Sequence, residues 1–155
     1  PYNWQWTSIE WKTPPADWVI PILQANTGKT VTIANSINGE PLSASSGLKR
    51  NSTVYSRSGE PVVFTAVKDS QEGVYFRANN NPDLFLSYSG LSGKAKLYNS
   101  PNQAAFKVEP LGVLWSIENT YWDDFLWFNE SNEKVYLTGE GNTDKAHSRW
   151  IINGL

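Results

Sequence analysis

From Trp18 onward the apolar positions come in short runs rich in Val, Ile, Phe, Tyr and Thr. Asn, Gly, Pro and Ser punctuate them at close intervals. Within runs such as KAKLYN (94–99) polar and apolar residues tend to alternate, the period of a strand with one buried face, and in the apolar run DFLWFN (124–129) the same period sets Trp127 and Phe128 on opposite faces. Almost nothing recurs at helical spacing. The chain therefore reads as all-β, built from many short strands joined by tight turns.

The runs repeat. Three segments end in Asn and read as first strands: WVIPILQAN (18–26), VYFRAN (74–79) and VLWSIEN (113–119). Each is followed by a turn and a second run, KTVTIAN (29–35), LFLSYS (84–89) and DFLWFN (124–129). Third runs follow at TVYSRS (53–58), KAKLYN (94–99) and KVYLTG (134–139). The fourth run of each set carries one large aromatic, Phe64, Phe106 or Trp150, and these lie 42 and 44 residues apart. Twelve strands in three four-strand units, at about 18–67, 74–109 and 113–153, predict a β-trefoil with pseudo-threefold symmetry. In such a fold six strands close a barrel and three hairpins cap one end, so each unit needs its neighbours to bury its apolar face. The first unit is longer between its Asn and its aromatic than the others. An inserted surface loop is expected at 38–51, whose Gly, Ser and Asn content suits one.

Residues 1–17, PYNWQWTSIEWKTPPAD, stand apart as a Trp-rich extension closed by Pro14-Pro15. They read as a cover over an open end of the fold, or as a patch for a second subunit or a ligand. The remaining 18–155 are expected to form one domain.

Composition narrows the function. The 155 residues carry a formal charge of −2, which argues against a nucleic-acid partner because that calls for a basic face. No run approaches a membrane-spanning length, so membrane insertion through a helix is not expected. The absence of Cys removes disulfides, thiol nucleophiles and thiolate metal sites, and fits either a cytoplasmic setting or a secreted fold that is stable unaided. His147 is the single histidine, and no Ser is placed in a nucleophile elbow. Asp123 and Asp124 are adjacent, so on a strand they would face opposite ways, unlike a paired acid and base flanking a bond. Neither an enzyme nor a cofactor or metal is expected.

The ends of the units carry a resemblance. Asn102-Gln103-Ala104-Ala105-Phe106, Ala146-His147-Ser148-Arg149-Trp150 and Glu60-Pro61-Val62-Val63-Phe64 resemble the Gln-x-Trp signature of ricin-B-type β-trefoil lectins, with the aromatic kept and the Gln replaced. The stretch FKVEP, with a following turn containing Tyr and Trp, also resembles the amaranthin-type agglutinins. The resemblance implies a non-enzymatic lectin, agglutinating or defensive, that binds glycans or glycoproteins. It places Ser87 where the ricin type has a second-strand Asp, Tyr98 at the stacking aromatic, and Asn102 or Gln103 at the amide. Asn99 adjoins Tyr98. In the last unit Trp127, Thr138 and His147 take those places, and in the first Thr32, Arg57 and Pro61, none of them matching.

A pyranose stacks its C–H face on an aromatic ring and offers its hydroxyls to planar polar groups. By that chemistry the turn Tyr121-Trp122-Asp123-Asp124 is a second candidate, with Asp83 in the corresponding turn of the middle unit. Shallow single sites bind weakly and gain from repetition; a homodimer through the Trp-rich tail would supply it. Two other readings share the fold. One is a protease inhibitor acting through the 38–51 loop with Leu48-Lys49-Arg50, and the other is the binding module of a larger toxin.

Overall fold

The computed structural model describes residues 30–45, 47–68, 73–138 and 145–154. The Trp-rich extension and the run at 18–26 lie outside the described residues. Among those described, the chain is all-β. Twelve strands follow in order, namely β1 (Thr30–Asn35), β2 (Leu42–Ala44), β3 (Val54–Ser56), β4 (Phe64–Lys68), β5 (Val74–Ala78) and β6 (Phe85–Tyr88). After them come β7 (Ala95–Tyr98), β8 (Phe106–Leu111), β9 (Leu114–Asn119), β10 (Phe125–Asn129), β11 (Lys134–Thr138) and β12 (Trp150–Asn153). A single 3-10 turn, Lys145–Ser148, precedes the last strand.

Antiparallel pairing closes six of these strands into a barrel. β1 pairs β4, β4 pairs β5, β5 pairs β8, β8 pairs β9, β9 pairs β12, and β12 returns to β1. Closure removes the open edges that would otherwise invite further strand addition. The other six strands form hairpins, β2–β3, β6–β7 and β10–β11. These hairpins touch one another, through Lys134↔Tyr55 and the bridges Thr53↔Lys96 and Lys94↔Tyr136.

Alternation in the sequence becomes burial in the barrel. β5 and β11 are buried at every second residue, as a strand with one face inward requires. Phe64, Phe106 and Trp150, the three recurring aromatics, are each 0% exposed. Phe76 links two of them, with ring centroids 6.0 Å from both Phe64 and Phe106. The Trp150 indole N–H donates to the Leu126 carbonyl at 2.9 Å, so even its polar atom is satisfied inside the core. Leu42, Leu86 and Leu126 occupy matching places on the first strands of the three hairpins, and none is more than 1% exposed. Of the neighbours Trp127 and Phe128, Phe128 is the inward one at 0% exposure. Trp115 and Phe125 are half-buried, Trp115 packing against the core cluster.

The expected strands of the middle and last units are present, but the first unit is shifted by one strand. KTVTIAN, expected as a second strand, is β1 and stands in the barrel. The second strand is Leu42–Ala44, inside the stretch expected to be an inserted loop. The register fixes this. β1 runs alongside β12 from Thr32↔Asn153 to Asn35↔Trp150, which only a barrel strand can do. The recurring Asn is also relocated. Asn35 and Asn119 end β1 and β9, both almost wholly buried, whereas Ala78 ends β5. The exposed Asn79 follows it.

Candidate functional site

The hairpin β6–β7 presents Ser87 opposite Lys96, and Tyr98 lies two residues further along on the same face as Lys96. Beyond β7 the chain turns through Ser100, Pro101, Asn102 and Gln103 before entering β8. Ser100 Oγ accepts the Asn102 N–H at 3.1 Å, and Ala104 N–H donates to the Pro101 carbonyl at 3.0 Å. Gln103 has a φ of 60°, the left-handed conformation that a tight turn demands. These local bonds shape one wall of a groove of about 430 Å³.

The facing wall belongs to the next unit. The turn after β9 is organised by Asn119, whose Oδ1 accepts the backbone N–H groups of Tyr121 and Trp122, both at 3.0 Å. The Asp123 N–H closes the turn on the Asn119 carbonyl at 2.9 Å, with Asp123 at a φ of 58°. On its other side Asn119 Nδ2 donates to the Gln103 carbonyl at 2.9 Å. Thr120 donates to the Ala105 carbonyl through both its N–H and its hydroxyl. The two walls are thus joined by hydrogen bonds. Trp122, 52% exposed, closes the groove together with Ser87, Tyr88, Gly90, Lys96, Tyr98, Ser100, Asn102 and Gln103. The Tyr121 ring meets it edge-on at 4.9 Å.

Of the residues expected to bind, Ser87, Tyr98, Asn102, Gln103 and Trp122 line this one groove, although the sequence places them in two separate units. Asp83, Asn99, Asp123 and Asp124 do not line it. Asp83, Asn99 and Asp123 are exposed outside it. Asp124 holds the turn through its carbonyl, which accepts the Asn119 N–H at 2.8 Å.

Three participants were not foreseen. Tyr88 is one: its hydroxyl is buried and has no hydrogen-bond partner of good geometry. Burial pushes its pKa above the usual 10.0, and the charges of Tyr121 and Asp124 push the same way. The nearby Trp122 side chain offsets only part of this. Lys96 is the second, with Nζ 4.4 Å from the centre of the Tyr98 ring. Arg50 is the third, reaching from the first unit to set its guanidinium 5.1 Å from the same ring and one nitrogen 3.2 Å from the Tyr98 hydroxyl. The ring expected to stack on a sugar therefore already carries two cations. Trp122 is the more open aromatic face.

The loop bearing Arg50 is folded back on itself. Ser52 Oγ donates to the Gly47 carbonyl and accepts the Lys49 N–H, while Asn51 and Ser52 pair with Leu97 of β7. Asn81 Nδ2 donates to the Leu48 carbonyl. Leu48-Lys49-Arg50 is thus part of a bonded turn.

A second groove, about 380 Å³, lies between the first and middle units and is lined by Ser43, Arg57, Glu60, Pro61 and Asn80 among others. The register pairs Ser43 with Tyr55 as it pairs Ser87 with Lys96, so Ser43, not Thr32, is the counterpart of Ser87. Arg57 stands where the middle unit has Tyr98, with its guanidinium 3.7 Å from the Tyr55 ring centre. In the last unit the rings of Trp127 and Tyr136 occupy the places of Ser87 and Lys96, 5.6 Å apart. His147 there bonds Glu130 at 3.0 Å and stacks on Phe128.

No protein-family model matches the chain. Hemolysin-1 of Aeromonas salmonicida is 36% identical over 155 residues, 99% of this chain, and the chain spans 27% of that protein's length. Two solved structures share the fold at low identity. SeviL bound to asialo-GM1 saccharide is 14% identical with a TM-score of 0.61, over 81% of this chain and 97% of its own. The proteinase inhibitor from Coprinopsis cinerea is 10% identical with a TM-score of 0.65, over 81% of this chain and 97% of its own. The chain is therefore similar along nearly its whole length to one part of a hemolysin, and it shares its fold with both a proteinase inhibitor and a saccharide-bound protein.

Proposed function

We propose that this chain is a non-enzymatic saccharide-binding module with a β-trefoil fold, and that the groove between the middle and last units is its sugar site. The observation that carries the reading is the convergence of Ser87, Tyr98, Asn102, Gln103 and Trp122 on one groove. An open indole beside two carboxamides, a hydroxyl and a hydroxyl-bearing ring is the set a pyranose needs, one apolar face and several planar or hydroxyl partners. The six-strand barrel capped by three mutually touching hairpins supports the trefoil assignment.

The similarity to one part of Hemolysin-1 supports placing the module within a toxin-like protein, where it would direct a larger assembly to glycans or glycoproteins on a target. The inhibitor reading is less well supported. An inhibitory loop has to project into a protease, and Leu48-Lys49-Arg50 is held by bonds from Ser52 and Asn81, with Arg50 turned onto Tyr98.

A glycan array probed with the wild-type chain and with Trp122→Ala tests the reading. Binding to a defined set of saccharides, lost in the variant while the circular dichroism spectrum is kept, is the expected result. Absence of binding to every saccharide would overturn it.

A further inference from the structure

The region around Tyr98 is unlike the rest of an acidic chain. Lys96 Nζ and the Arg50 guanidinium both lie against its ring, and Lys49 adjoins Arg50 on the exposed turn. Neither Lys96 nor Arg50 pairs with a carboxylate among the described residues, where the salt bridges are Lys107–Glu109 and His147–Glu130. Lys96 instead donates to the neutral Asn51 side chain at 3.3 Å, and Arg50 to the Tyr98 hydroxyl at 3.2 Å. Two like charges sharing one ring repel each other, and what they lack is an anion.

We infer that the saccharide is an acidic one, bound with a carboxylate or sulfate group against Lys96 and Arg50 and with an apolar sugar face on Trp122. The inference rests on the saccharide-binding reading and specifies its ligand class. Both cations carry N–H groups not engaged by a carboxylate, and a charge-assisted hydrogen bond to an anion is about twice as strong as a neutral one. A planar guanidinium suits either a carboxylate or a sulfate, so the chemistry is shared by sialic acids, uronic acids and sulfated sugars. The Tyr98 hydroxyl is the element that keeps Arg50 at the groove.

The test is an array in which neutral oligosaccharides are printed beside their sialylated, uronic-acid and sulfated forms. It is probed with the wild-type chain, Lys96→Gln, Arg50→Gln, Lys96→Arg and Trp122→Ala, each checked for folding by circular dichroism. The acidic member of a pair is expected to bind about tenfold or more tightly than its neutral parent at low salt. That margin should shrink at about 0.3 M salt and in each Gln variant, and persist in Lys96→Arg. The carboxylated and sulfated arms identify which anion is preferred. Equal binding of neutral and acidic members would overturn the inference and leave the saccharide site standing. Trp122→Ala should weaken acidic and neutral members alike, and a preference unchanged in both Gln variants would place the anion elsewhere and overturn the inference too. No binding to any member overturns both readings.

Discussion

The side-chain amide of Asn119 reaches the backbone of Gln103, donating from Nδ2 to the carbonyl at 2.9 Å across the boundary between two repeat units. The same residue, 0% exposed, accepts the Tyr121 and Trp122 N–H groups on its other atom. One amide thus sets the distance between the two walls of the groove. Its counterpart Asn35 forms the same kind of turn with Ile37 and Asn38, but sends its Nδ2 to Ser56 and within its own turn. The last unit alone among the two uses the amide to tie itself to a neighbouring groove wall.

Replacing Asn119 separates these roles. Asn119→Ala strands two N–H groups and one carbonyl, so a loss of about 2–4 kcal/mol in chemical denaturation is expected. Asn119→Asp keeps the acceptor for Tyr121 and Trp122 but removes the donor to Gln103. In the folded fraction it should weaken saccharide binding, because the tie between the two groove walls is gone. Unchanged affinity in a folded Asn119→Asp variant would show that the tie does not shape the site.

Trp122 is half in solvent, so its removal should cost the fold little. Trp122→Ala is expected to shift the unfolding midpoint by no more than a few degrees while reducing saccharide affinity by about tenfold, the scale of a lost aromatic contact. Trp122→Phe should recover part of the affinity. A large loss of stability in Trp122→Ala would make the residue structural.

The three recurring aromatics should behave in the opposite way. Phe106→Ala empties a site with no exposure beside Phe76, and a loss of about 3–5 kcal/mol is expected. Calorimetric or denaturant unfolding checks this. A loss below about 1 kcal/mol would be incompatible with Phe106 in a close-packed barrel.

Tyr88 supplies a pH dependence. Its pKa in the folded chain is raised above 10.0, chiefly by burial, so the folded state holds the phenolic proton more tightly than the unfolded state does. The stability this contributes is fully present below pH 10 and is lost as pH rises through the folded pKa. Thermal unfolding between about pH 8 and pH 11 should show that loss, and Tyr88→Phe should reduce it. An identical alkaline profile for wild type and Tyr88→Phe would contradict the assignment.

Much of the barrel was legible in the sequence because its signals are local and repeated. The spacing of Phe64, Phe106 and Trp150 reports three inward-facing positions, and the alternation in KAKLYN and KVYLTG reports one buried face per strand. The first unit was misread by one strand. TVTIAN has the composition of either a barrel or a hairpin strand, and only its pairing with β12 decides between them. The three-residue β2 is too short for alternation to stand out. The groove was legible as a set of residues but not as one place. Ser87 and Tyr98 share a hairpin, yet Trp122 and Arg50 come from other units, and the Arg50–Tyr98 contact spans 48 positions. A pattern read unit by unit cannot see a site built at the junction of units.

The central claim is that Tyr98 and Trp122 serve one site. Isothermal titration of the best saccharide from the array into wild type, Tyr98→Ala and Trp122→Ala measures this directly. The account predicts that both substitutions remove the same binding event, each lowering its affinity by about tenfold or more, with no second event left behind. If each substitution instead leaves one full-affinity event that the other removes, the two residues belong to separate sites and the single groove is contradicted.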